Sequence, residues 1–123
     1  MARIERIQPT TIHKPRAWTH VVKATGGTTV YVSGQIGVAP DGTVAEGLEA
    51  QAEQAYANLR AALIAAGATP QDVVKETILI VAYSPEKALA LRDPRVELWG
   101  DQFPASTLLG VQALGRAEYL DRG

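Results

Sequence analysis

Between two segments of helical period the chain carries Thr77-Ile78-Leu79-Ile80-Val81, an uninterrupted run of strand length. Its placement constrains the fold more than any other feature. A run of this kind is expected to form a strand buried on both faces. With helices before and after it in sequence, it also requires neighbouring strands reached by crossovers. The preceding helix shows in Ala52, Tyr56, Leu59, Leu63 and Ala66, which recur at three- and four-residue steps and give one apolar, alanine-rich face. Gly67 is placed to end that helix. Thr69-Pro70-Gln71-Asp72 has the pattern of a short capped turn, with Thr69 as N-cap and Pro70 at the first helical position. Ser84-Pro85-Glu86 repeats the same start for a second helix. Asp93-Pro94 is expected to kink or restart that helix before Val96, Leu98 and Trp99. Ser106 to Val111 forms the next strand candidate.

The first third of the chain has a different period. Thr19-His20-Val21-Val22-Lys23 alternates polar and apolar, Gly26-Gly27 can turn the chain, and Thr29-Val30-Tyr31-Val32-Ser33 follows. The pattern predicts a β-hairpin. Pro40-Asp41-Gly42 predicts a second reversal after Ile36 and Val38. The resulting order is hairpin, helix, strand, helix, strand: an α/β (α+β) chain of two layers, a mixed sheet with two helices on one face. At 123 residues this is one domain, 1–123, long enough to bury a core without staples.

Composition excludes several kinds of chemistry. There is no cysteine, so disulfides, thiolate nucleophiles and Cys-ligated metals are ruled out. His13 and His20 are the only histidines, and without paired carboxylates nearby they make a poor metal site, so no metal is expected. Gly26-Gly27 lacks the GxGxxG pattern and a following helix start, so it is no phosphate cradle. A formal charge of −1 exerts no general pull on nucleic acid or anionic membrane. Lys14 and Arg16 around Pro15 are too small a basic cluster to indicate RNA. With no signal-like run at the start and no membrane-length apolar stretch, the expectation is a soluble cytoplasmic protein.

Three segments together carry a resemblance. Val30-Tyr31-Val32-Ser33-Gly34-Gln35-Ile36 resembles the "VYVSGQI" strand of the Rid (YjgF/L-PSP) family. Ala66-Gly67-Ala68, followed by Asp72-Val73-Val74-Lys75 and Thr77, is similar to that family's "AGASLDDVVKVT" segment. Phe103-Pro104-Ala105-Ser106-Thr107 falls where many members carry "FPARS". The matches run in order from about Pro15 to Leu114, nearly the whole chain. The resemblance implies a chorismate-mutase-like fold, a homotrimer and small-molecule pockets in the clefts between subunits. Active members hydrolyse enamines and imines such as 2-aminoacrylate to keto acids and ammonia, without a cofactor. Trp99 and the strand Ile78 to Val81 are expected to support the trimer by presenting more apolar surface than one subunit would expose.

An imino acid is already electrophilic at carbon, so such a site must hold the carboxylate and position a water. A planar guanidinium fork suits the carboxylate. In this sequence Ser106 occupies the place of the motif's arginine. The chain ends Glu118-Tyr119-Leu120-Asp121-Arg122-Gly123, before the position of the glutamate in the family's last strand. No catalytic residue is assigned. The ligand-binding candidates carried over are Trp18, Ser33, Gly34 and Ser106. Three of them have an alternative: a packed hairpin aromatic for Trp18, an ordinary strand-end hydroxyl for Ser33, a strand start for Ser106. Arg116 either reaches the pocket from its loop or is a solvated surface residue. Two functions stay open, an enamine or imine deaminase and a non-catalytic metabolite-binding sensor or scaffold.

Overall fold

The computed structural model describes residues 3–122; Gly123, the last residue of the segment from Glu118 compared above with the family's last strand, lies outside them. Two small sheets, two α-helices and one 3-10 turn are formed by the described residues. β1 (Arg3–Ile7) pairs antiparallel with β2 (Val21–Thr25), from Arg3↔Thr25 to Ile7↔Val21. β3 (Lys75–Val81) is the centre of a three-stranded mixed sheet. It runs parallel to β4 (Ala105–Val111), with Glu76 opposite Ser106, and antiparallel to the two-residue β5 (Asp121–Arg122). α1 (Leu48–Ala65) precedes β3 and α2 (Pro85–Trp99) follows it, so the β3–α2–β4 unit is a crossover between parallel strands.

Both helices pack on the same face of β3. The core joins Ala52 and Tyr56 of α1, Ile78 and Ile80 of β3, and Leu91, Leu98 and Trp99 of α2. Along β3 burial alternates: Glu76, Ile78 and Ile80 are buried, Lys75 and Thr77 exposed, Leu79 and Val81 half-buried. Within the chain itself the expected burial on both faces is therefore corrected to burial on one. An apolar run does not report how many layers cover it, and here both helices occupy the same layer. Trp99 is also corrected, because at 0% exposure it is a core side chain and contributes nothing to a subunit surface. The apolar groups left open are others, among them Leu109 on β4 beside Leu79, and Val30 and Tyr31.

Local signals behave as the chemistry requires. Beyond α1, Gly67 takes φ 75° while its N–H reaches the Ile64 carbonyl and the Ala68 N–H reaches that of Leu63, closing the helix. The Asp72 carboxylate accepts from the Thr69 N–H (2.8 Å) and hydroxyl (3.1 Å) around a single 3-10 turn, Pro70–Asp72. Pro40-Asp41-Gly42 reverses the chain, with the Gly42 N–H donating to the Ala39 carbonyl. α2 passes through Pro94 rather than restarting there. An interior proline costs about 3 kcal/mol, but the ring is buried and its turn also buries Leu91, Leu98 and Trp99.

The predicted hairpin does not form. β2 has β1 as its partner, and after Gly26 and Gly27 residues 28–35 belong to no strand among the described residues. Alternation marks a segment as extended but leaves its partner open. The next segment, 36–45, is held by α1. The Asn58 amide donates to the Ile36 and Val38 carbonyls (3.0 and 2.9 Å), and Gln51 donates to that of Ala45 (2.9 Å). Gly37 is required there, because a Cβ would lie 2.5 Å from the Gln51 Cα.

Candidate functional site

Glu76 is the polar member of a strand face otherwise made of Ile78 and Ile80, so its carboxylate points into the helix layer and is 7% exposed. A buried carboxylate is costly unless it is paired and hydrogen-bonded. Three elements supply the partners. Arg95 of α2, itself 8% exposed, donates through Nε to Glu76 Oε1 at 2.8 Å, and its Nη2 donates to the same oxygen. Ser106, opposite Glu76 on β4, donates its hydroxyl to Oε1 at 3.2 Å. Tyr56 of α1 donates to Oε2 at 3.2 Å.

Arg95 also extends past the carboxylate. Its Nη2 donates to the Ala17 carbonyl at 2.9 Å, and its Cζ lies 5.3 Å from the centre of the Phe103 ring. Nη1 makes no hydrogen bond among the described residues, and it is not one of their buried unsatisfied atoms. Arg95 itself lines an opening, a groove of about 810 Å³ between α2, β4 and the segment before β2. Ile78 and Leu108 contribute from the sheet, Leu89 and Val96 from α2, and Trp18 and Phe103 from the loops. None of its thirteen lining residues is acidic, and three are arginines: Arg16, Arg92 and Arg95.

The loop that carries Trp18 is fixed by its neighbours. The Gln8 amide donates to the Trp18 carbonyl and accepts from the His20 N–H, both at 2.9 Å. Buried Thr19 donates its hydroxyl to the Phe103 carbonyl (2.5 Å) and its N–H to that of Pro104 (3.2 Å). The rings of His13 and His20 stand edge-on to the indole at 5.9 and 6.1 Å. Two loops far apart in sequence are thus tied together beside Ser106.

Of the four sequence candidates, Trp18 and Ser106 meet on this groove. Ser33 and Gly34 do not line it. They lie in the extended 28–35 segment, Ser33 exposed and Gly34 half-buried, where the Ser33 carbonyl accepts from the Gln35 amide at 3.1 Å. Arg116 points away into an exposed pair with Glu118 at 2.9 Å. A smaller cleft of about 350 Å³ between the helices, edged by Glu53, Asp93 and Glu97, contains none of the four.

The sequence reading missed Glu76, Arg92 and Arg95. A signal for two of them existed. Glu76 shares a strand face with Ile78 and Ile80, and Arg95 stands four residues from both Leu91 and Trp99 on a helix. Opposite charges on two core-facing stripes point to a buried pair. Among the described residues no cluster of His, Asp or Glu could hold a metal, and no helix is long and apolar enough to cross a membrane. What the groove can offer a ligand is apolar walls, one hydroxyl, the Trp18 indole N–H and guanidinium N–H groups.

The model of a family described as endoribonuclease L-PSP matches residues 11–120. A protein from Dermatophagoides farinae named 2-iminobutanoate/2-iminopropanoate deaminase is 38% identical over 90 residues, covering 72% of this chain and 69% of its own. Among solved structures, the Rid-family protein YyfB of Yersinia pestis, described as of unknown function, superposes with a TM-score of 0.90 at 32% identity. That match covers 97% of this chain and 93% of that one. RidA from an Antarctic Psychrobacter species gives 0.70 at 30% identity, covering 96% and 94%.

Proposed function

The chain belongs to the endoribonuclease L-PSP family, also called Rid, and from that premise we propose that it hydrolyses reactive imines or enamines in the groove beside Ser106. In that reaction the oxygen of water adds to the imine carbon, the carbon–nitrogen bond breaks, and both hydrogens of the water leave with nitrogen as ammonia. The substrate is electrophilic from the start, so the protein's task is to orient it and to admit one water. A single observation carries the reading: Trp18 and Ser106, remote in sequence, line one groove with a fixed guanidinium, that of Arg95, between them. Likeness to a relative named as an imine deaminase adds support.

A non-catalytic metabolite-binding role is the second reading. It is favoured by the saturation of Glu76, whose oxygens accept from Arg95, Ser106 and Tyr56 and so have little capacity left to take a proton from water. The two readings separate in a coupled assay with 2-aminoacrylate generated in place. On the first, ammonia is released faster than in the uncatalysed reaction. The rate is expected to be roughly a hundredfold or more below that of a relative with arginine at the Ser106 position, since the charge-assisted bond from that position is missing. Protein that adds nothing to the spontaneous rate, for this and for bulkier imines, leaves the binding role.

The family's trimeric assembly is carried into the same proposal. Leu79, Val81 and Leu109 on the helix-free face of the sheet, together with Val30 and Tyr31, form apolar surface that a second copy could cover. Ser33 and Gly34 would then meet a groove across a subunit boundary. Light scattering is expected to give three times the mass of the 13.1 kDa chain; a monomer at micromolar concentration removes this part.

A further inference from the structure

We propose that Arg92, with Arg16 and Arg95 around the same opening, anchors the carboxylate of a ligand whose bulky apolar tail fills the groove. The preferred ligands are thus aromatic or branched oxo and imino acids rather than pyruvate-sized ones. The inference rests on this groove being the ligand site of the proposed function, and it names the anchor and the ligand class.

The anchor follows from helix geometry and charge. Leu89, Arg92 and Val96 succeed one another at three- and four-residue steps, as do Ala88, Arg92 and Arg95, so Arg92 sits on the groove-facing side of α2 between apolar residues. It is exposed, and it joins no ion pair or hydrogen bond among the described residues; the same holds for Arg16. Arg95 is different, because Glu76 already neutralises it, so it contributes N–H groups rather than net charge. The lining therefore carries two uncompensated positive charges and no negative one. An apolar wall beside them lowers the local dielectric and strengthens their pull on an anion. A guanidinium matches the two oxygens of a carboxylate.

The tail follows from the remaining surface. A groove of about 810 Å³ falls in the range that takes ligands much larger than a pyruvate-sized acid. Trp18, Phe103, Ile78 and Leu108 offer rings and branched chains but no hydrogen-bonding side-chain group except the indole N–H. Each methylene buried against them should tighten binding about fourfold.

The test is calorimetry on the full chain with three probes: pyruvate, phenylpyruvate and the neutral amide of phenylpyruvate. Phenylpyruvate is expected to bind at least about tenfold tighter than pyruvate. Arg92→Gln, an exposed substitution that leaves the core alone, should weaken phenylpyruvate about five- to tenfold while leaving the amide unchanged, and the difference should shrink with added salt. Phenylpyruvate binding no tighter than pyruvate overturns the tail. A tight phenylpyruvate complex indifferent to Arg92→Gln overturns the anchor. Binding as expected without imine hydrolysis removes catalysis and leaves this inference standing. Hydrolysis of uncharged imines with no carboxylate binding removes this inference alone.

Discussion

Gln51 and Glu76 are both buried polar side chains that tie separate elements together, but they bind different kinds of group. Gln51, 2% exposed, meets only backbone. Its amide nitrogen donates to the carbonyls of Ala45 (2.9 Å) and Glu118 (2.8 Å), and its oxygen accepts from the Leu120 N–H (2.7 Å). A neutral group with its donors used has nothing left to offer a ligand. Glu76 meets side chains from three elements, one of them charged, and the guanidinium it fixes belongs to a residue that lines the groove. The amide hub closes a structure, whereas the ionic hub orders one and leaves part of it open. A buried pair of charges is a weak source of net stability, so its value here lies in where it holds Arg95.

Removing one charge tests that contrast most severely. Glu76→Ala strands a buried guanidinium and is expected to cost about 3–5 kcal/mol in urea denaturation. The double variant Glu76→Leu with Arg95→Met should recover most of that loss, because an apolar pair of similar volume suits the core, yet it should bind phenylpyruvate more weakly than the native chain. Recovered stability with undiminished binding would show that the ionic hub has no part in the site.

Gln51→Leu is expected to cost less, about 2–3 kcal/mol, as the Ala45 and Glu118 carbonyls and the Leu120 N–H lose a partner. Its effect on groove binding should be within error. A change in phenylpyruvate affinity at full folding would mean that the two hubs are coupled and the contrast fails.

Asp41 supplies the smallest effect and an exposed reference. The Thr43 hydroxyl and then its N–H hold the Asp41 carboxyl below its ordinary value, outweighing desolvation. A carboxyl depressed on folding adds stability above its unfolded value and loses it as pH falls through the folded one. The difference in Tm between native chain and Asp41→Asn should therefore be small at pH 7 and vanish in acid below the folded value. A difference that grows on acidification contradicts this assignment.

Much of the chain was legible from neighbours in sequence. The Gly67 helix end, the Thr69–Asp72 turn, the reversal at Pro40-Asp41-Gly42 and the strands on either side of α2 each depend on residues within a few positions, where propensity and period act directly. Family membership was legible too, because three short motifs in order are a property of the string itself. Of the four candidates that the resemblance offered, Trp18 and Ser106 line the groove and Ser33 and Gly34 do not, while Arg95, which lines it too, was not among them.

Tertiary structure decided the rest. Local alternation in Val21 to Thr25 allows either neighbour, and β1 became the partner through a register closed between Arg3 and Thr25. The run from Thr77 to Val81 carries the same apolar content whether one or two layers cover it, so only the shared layer of α1 and α2 made it one-sided. A charge in the core is settled the same way. Arg95 reaches back to Ala17, 78 positions away, and across to Glu76, 19 away. Its burial is affordable only where those partners converge, and that convergence is a property of packed layers that no sequence window contains.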